Sequence, residues 1–250
     1  MTVTRRGVTE FASSAPNTVH LVPLPAGSLE DDWVICAATA PQWSAVFTFP
    51  GTELLNAGNT ATMHYGLFKK QLTATDITND YLSIGVSISH HICAIAVGYE
   101  DAAGFGTPGT VWDKGGITSI AYTDAELIGD NGTDDVLCFS LIKHSGGSQS
   151  FVSTAPSITS LGPGAIKTGA STPAAHAAVF VDDPQTIRTT WSTSSANGVG
   201  FQVPVLSTPP PPPTAPEIMG VWNGTSLDPV EIMGLWNGSA LEDVEVLAIT

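Results

Sequence analysis

The chain is expected to be all-β: a two-sheet sandwich over residues 1–207, a proline linker over 208–216 and a small β-hairpin repeat unit over 217–250. Three observations predict this. Apolar residues alternate with polar ones, or stand in short unbroken runs, and clusters of Gly, Asn, Asp and Pro punctuate them. No window of ordinary length carries a helical period. Five consecutive prolines, 209–213, precede a segment that repeats itself.

The elements follow in order. Residues 3–11 are rich in β-formers. Residues 18–23 alternate and end in a Pro/Gly turn. Residues 33–38 are an unbroken apolar run of the buried-strand type. Residues 43–49 alternate and stop at Pro50-Gly51. Residues 61–69 and 82–99 come next. In the latter, Val86, Ile88, His90, Ile92, Ala94 and Ala96 share one face, and Ser87, Ser89 and His91 the other. Residues 117–121, 135–143, 175–181, 189–194 and 200–205 bring the set to about ten strands, which implies two packed sheets. Residues 72–81, with Asp76 and Asp80, leave room for one short helical turn.

The prolines lack N–H groups and cannot join a ladder, so they form an extended polyproline spacer. Beyond them, Glu217-Ile218-Met219-Gly220-Val221-Trp222-Asn223-Gly224 returns as Glu231-Ile232-Met233-Gly234-Leu235-Trp236-Asn237-Gly238. Asn-Gly is a strong signal for a two-residue hairpin turn, so each copy reads as strand, tight turn and short strand. Two such hairpins are too small to bury their own tryptophans. They need a partner surface or copies of themselves. Ile218, Met219, Val221, Trp222, Ile232, Met233, Leu235 and Trp236 are the expected assembly interface, and three-fold packing would bury the tryptophans.

Composition excludes several classes. Charged residues are 12%, and the formal net charge is −15 with eight Lys+Arg. No cationic stripe exists to replace the counterions of a nucleic acid. From residue 214 onward there are six acids and no Lys or Arg, so the tail suits a basic partner surface. A surface built of Thr, Ser, Gly and Ala suits an extracellular or virion setting. No apolar run reaches the ~18 residues of a membrane helix, so no membrane insertion is expected. The N-terminus lacks an apolar signal core, which points to synthesis in a cytoplasm. Cys36, Cys93 and Cys138 are odd in number and without CxxC spacing, and read as strand thiols.

The opening resembles a known family. Arg5 and Arg6, the Thr/Ser-rich stretch that follows and Val22-Pro23-Leu24-Pro25 lead to Leu29-Glu30-Asp31-Asp32-Trp33-Val34-Ile35. This looks like the start of jelly-roll proteins of tailed bacteriophages. The strand ending Val97-Gly98-Tyr99 is similar too, and the Trp-Asn-Gly repeats resemble the Trp-x-Gly repeats of minor tail proteins from phages of actinobacteria. At Phe49-Pro50-Gly51-Thr52 the chain carries Thr where that family often has Trp. The resemblance implies a jelly-roll-like sandwich and a virion structural component, and brings no catalytic residues.

Sites for chemistry are sparse. Gly104-Phe105-Gly106-Thr107-Pro108-Gly109 matches GxGxxG, but a dinucleotide site needs a helix after it and the context here is β. His64, His144 and His176 lack ligand spacing, and His90 sits on the apolar face as a core histidine. Asp130, Asp134 and Asp135 crowd a turn without the EF-hand pattern and read as a solvated hairpin. No GxSxG is present. The expected function is therefore non-enzymatic and cofactor-free. The expectation is a minor tail protein of a phage virion, partnered by other virion proteins and by copies of itself in a trimer. A capsid decoration protein or head fibre shares the same features. A third reading is a carbohydrate-binding module for host-surface glycans, with Tyr65, Tyr99, Trp112 and Tyr122 as stacking platforms.

Overall fold

The computed structural model describes residues 3–41, 46–60, 62–109, 112–117, 119–121, 135–144, 151–155, 159–166, 172–181, 188–191, 196–207, 219–222, 227–233 and 245–247. The chain divides into two compact units, Met1–Thr208 and Pro209–Thr250. The backbone is nearly all β, and antiparallel sheets pack as a sandwich.

The first eight strands are β1 (Thr4–Ala12), β2 (Asn17–Pro23), β3 (Trp33–Ala40), β4 (Phe47–Thr48), β5 (Glu53–Asn59), β6 (His64–Gln71), β7 (Tyr81–His90) and β8 (Cys93–Glu100). They form an inner sheet, β1-β8-β3-β6-β5, and an outer sheet, β2-β7-β4. β1 pairs with β8, β2 with β7 and β3 with β6, all antiparallel. This nesting is a long hairpin rolled into two sheets, the jelly-roll arrangement.

The following strands repeat the pattern. They are β9 (Ala102–Phe105), β10 (Trp112–Ile117), β11 (Ser119–Ala121), β12 (Asp135–His144), β13 (Phe151–Ala155), β14 (Thr159–Ser160), β15 (Ala165–Ile166), β16 (Thr172–Val181), β17 (Arg188–Trp191) and β18 (Ala196–Ser207). β10 pairs with β18, β11 with β17 and β12 with β16. A second inner sheet runs β10-β18-β12-β16-β14, with β15 also on β16 and β9 also on β18, and its companion sheet is β11-β17-β13. The first unit is thus all-β and jelly-roll-like, as expected from sequence, with the nested pairing present twice in tandem where about ten strands in two sheets were expected.

The rolls pack back to back through their inner sheets. Ile35, Ala37, Leu67, Ile95, Val97 and Tyr99 of the first share one core with Leu137, Phe139, Leu141, Ala177, Phe201 and Val203 of the second. Small residues such as Ala37, Ala175 and Ala177 line this contact, and β3 and β8 come within 8 Å of strands of the second roll, Cα to Cα. The opposite face of the first inner sheet, with Val34, Cys36, Ala38, Phe68 and Ala96, packs on Val22, Leu82, Ile84 and Val86 of the outer sheet. The central strands of the inner sheet, β3, β8 and most of β6, are therefore buried on both sides. That explains why β3 reads as a continuous apolar run and not as an alternating one.

Polar contacts fasten the rim between the rolls. The Tyr99 hydroxyl donates to Asp135 Oδ2 at 2.9 Å, and the Gly164 N–H donates to Glu10 Oε1 at 2.8 Å. Lys69 Nζ reaches the Phe105 carbonyl at 3.3 Å, and Asn197 Nδ2 donates to Thr62 Oγ1. Gly162 has to be a glycine, because its φ is +156° and a Cβ would sit 2.0 Å from the Glu10 carboxylate.

The short helix α1 (Ala74–Asn79) occupies the stretch that sequence left open for a turn. Thr73 caps it. The Asp76 N–H donates to Thr73 Oγ1, and the Asp76 carboxylate accepts from the Thr73 N–H, closing a reciprocal box. Burial raises the Asp76 carboxyl pKa, but hydrogen bonds from Lys70, at 2.5 Å, and Thr73 outweigh it and hold the net value below the usual range. Thr73→Ala is expected to cost about 1 kcal/mol, readable as a lower urea midpoint with an unchanged slope.

Candidate functional site

The second unit holds β19 (Met219–Trp222), β20 (Leu227–Met233) and β21 (Glu245–Leu247). They form one three-stranded antiparallel meander, β19-β20-β21. This corrects the expected pair of separate hairpins. β20 carries the end of the first repeat and the start of the second, so the two copies share their central strand. Trp222 pairs with Leu227, and the Asn223-Gly224 turn signal between them lies outside the described residues. Pro229 sits in the central strand opposite Gly220. Among the described residues, β21 pairs with Glu231, Ile232 and Met233.

Of the expected interface residues, Met219, Val221 and Trp222 lie on β19, and Ile232 and Met233 on β20. Ile218, Leu235 and Trp236 lie outside the described residues. The strands of this unit are 4, 7 and 3 residues long and make one small sheet.

The glycan platform is overturned in part. Tyr65 is 8% exposed and Tyr99 0%. Both rings face the core between the rolls: Tyr65 packs on Phe201, and Tyr99 on Phe105. Burial and the neighbouring Asp135 carboxylate push the Tyr99 hydroxyl well above its ordinary pKa. Neither ring can stack on a sugar. Trp112 begins β10 with its side chain outside the described part, and Tyr122 lies outside it altogether. Trp33 is half-buried, edge-on to Phe105 and under the Lys69 ammonium, as a core-flanking residue should be.

The histidines are placed differently from the sequence reading. β7 ends at His90 and the chain crosses to the inner sheet at Cys93, so residues 82–99 are two strands in two sheets. His90 is half-buried at that corner, and its carbonyl accepts from His20 Nε2 at 2.9 Å. His20 also reaches the Asn17 carbonyl at 3.1 Å, and His91 Nδ1 meets Ser13 Oγ at 3.2 Å. His64 and His176 are buried inside the first and second rolls. Burial lowers the pKa of His20, His64 and His176, the last to about 4.

The three cysteines are free and buried, and burial pushes the Cys36 and Cys138 thiols up, away from nucleophilic thiolates. The GxGxxG segment runs beside β18, with the Gly106 N–H on the Pro204 carbonyl and the Gly109 N–H on the Gln202 carbonyl, both at 2.9 Å. Among the described residues, no helix follows it to receive a phosphate. Asp135 begins β12 and accepts from Tyr99, while Asp130 and Asp134 lie outside the described residues. Among the described residues, no group of three or more His, Cys, Asp and Glu is placed to hold a metal, and no helix is long and apolar enough to cross a membrane. No protein-family model, curated protein or solved structure matches the chain.

Proposed function

We propose that the chain is a non-enzymatic structural protein of a phage virion, a minor tail protein in which the double roll is the body and the C-terminal meander the attachment device. The observation that carries this reading is the division into a large unit with its own core and a small repeat unit of three short strands. A sheet of that size gains most of its stability by docking, and a stiff proline run before it is a spacer. The acidic balance after residue 214 favours a basic partner surface. The resemblance of the opening segment and the Trp-Asn-Gly repeats to tailed-phage proteins supplies the setting.

The test compares the full chain with a 1–208 truncation. The truncation is expected to keep the unfolding midpoint of the double roll and to be monomeric. The full chain is expected to self-associate or to enter particles, and the truncation to stay out of them. Particles that incorporate the truncated chain normally would sink the attachment reading. Immunogold labelling separates the tail assignment from a capsid decoration protein: gold on the head would move the chain there.

A further inference from the structure

The outer sheet of the first roll stops short. A fourth strand beside β4 would complete it, yet β5 pairs with β6 and joins the inner sheet instead. Among the described residues β4 keeps two residues and a strand neighbour on its β7 side only. The Val46 carbonyl faces β7 and accepts from the Ser87 N–H at 3.0 Å. The N–H of the same peptide unit, that of Phe47, therefore points to the open side. Phe47 is 8% exposed, so this donor needs a partner within the protein.

His64 supplies it. The ring projects from β6 into the roll, and its Nε2 accepts from the Phe47 N–H at 3.3 Å. With Nε2 accepting, the ring proton must be on Nδ1, which donates to Asn59 Oδ1 on β5. The ring also lies 5.1 Å from that of Phe47. One side chain thus ties β4, β5 and β6 together across the gap left by the missing strand. Only the neutral ring with its proton on Nδ1 satisfies both bonds. A protonated ring sets N–H against N–H at β4.

We propose that His64 is a proton-operated latch: neutral, it closes the open edge of the outer sheet; protonated, it releases β4 and uncovers that edge. The latch does not depend on the virion reading.

The surrounding charges leave the ring to itself. Among packed elements, β3 and β4 carry no ionisable side chain except the buried Cys36 thiol. On β5 and β6 the charged groups are Glu53, Lys69 and Lys70, and Glu53 pairs with Lys69 at the end of the ladder remote from the His64–Asn59 pair. Lys70 is engaged by Asp76 of α1. Tyr65 belongs to the core on the other face of the sheet. On β7 the residues beside β4 are Gly85 and Val86, with Tyr81 and His90 at the two ends. Burial is what moves the ring's titration, downward, so the latch stays shut at neutral pH and opens in acid.

Amide exchange of His64→Gln beside the wild type tests this, because glutamine can accept from Phe47 and donate to Asn59 but does not titrate. At about pH 7.5 the Phe47 amide is expected to be equally protected in both proteins. At about pH 5 or below it is expected to be at least about ten-fold less protected in the wild type, with the amides of Ile35 and Ile95 alike in the two. Equal Phe47 protection in acid would overturn the latch. So would loss at Ile35 and Ile95 in step with Phe47, which marks global unfolding. Should the variant not fold, NMR of the wild type decides: the Phe47 amide shift and the His64 ring must titrate with one midpoint, and separate midpoints refute the proposal.

Discussion

Phe139→Ala is expected to destabilise the double roll by about 3–5 kcal/mol, among the largest effects a single truncation produces. Phe139 is fully buried on β12, between Ala177 of β16 and Phe201 of β18, and it faces the first roll's inner sheet. It is paired with Ala177, and the core it enters also holds Ala37 and Ala175, none of which has side-chain length to swing into the space left behind. The cavity should therefore persist, and its cost adds to the lost transfer energy. Because the two rolls share this core, the variant should still unfold in one transition at a lower urea midpoint. Val19→Ala, on an exposed position of β2, serves as the control and should change stability by less than about 0.5 kcal/mol. A loss below about 1 kcal/mol for Phe139→Ala would contradict the back-to-back packing.

Acid is expected to weaken the fold through its buried histidines. His176 is fully buried on β16, and Ser160 Oγ, which donates to the Gly162 carbonyl, accepts from its Nε2 at 2.8 Å. Burial lowers its pKa from 6.5 to about 4, so the folded ring stays neutral where the unfolded ring takes up a proton. The contribution is complete above pH 6.5 and is lost as pH falls toward 4. At about 1.4 kcal/mol per pKa unit, His176 alone accounts for about 3 kcal/mol across that window. His20 and His64 act in the same direction. Asp76, held low by Lys70 and Thr73, adds a loss as pH falls through the carboxylate range. Urea midpoints measured against pH should fall steeply below about 6.5, and less steeply in His176→Gln. An unchanged slope in that variant would remove His176 from the account.

Several features were legible in the residues themselves. Alternation and turn residues marked β2 to within a position, and Thr73 followed by Asp76 is the local signature of the cap that starts α1. The five prolines marked the boundary region at which the chain divides into two units. A signal for the tandem rolls was present as well. Val34-Ile35-Cys36-Ala37 and Val136-Leu137-Cys138-Phe139, each preceded by aspartates, are the third strands of the two rolls. It is too short to stand out against ordinary β composition.

The sequence by itself determined the class, the placement of many strands and the separate tail, because these depend on local backbone preference and on turn chemistry. Tertiary structure alone decided that there are two rolls, that Tyr65 and Tyr99 lie in the core between them, and that residues 82–99 change sheets at His90. It also decided that β5 leaves β4 for β6, so that a histidine closes the gap. The reason is physical. A period of two says which residues share a face, but not which sheet covers that face. Where both faces are buried, as on β3 and β8, even the period disappears.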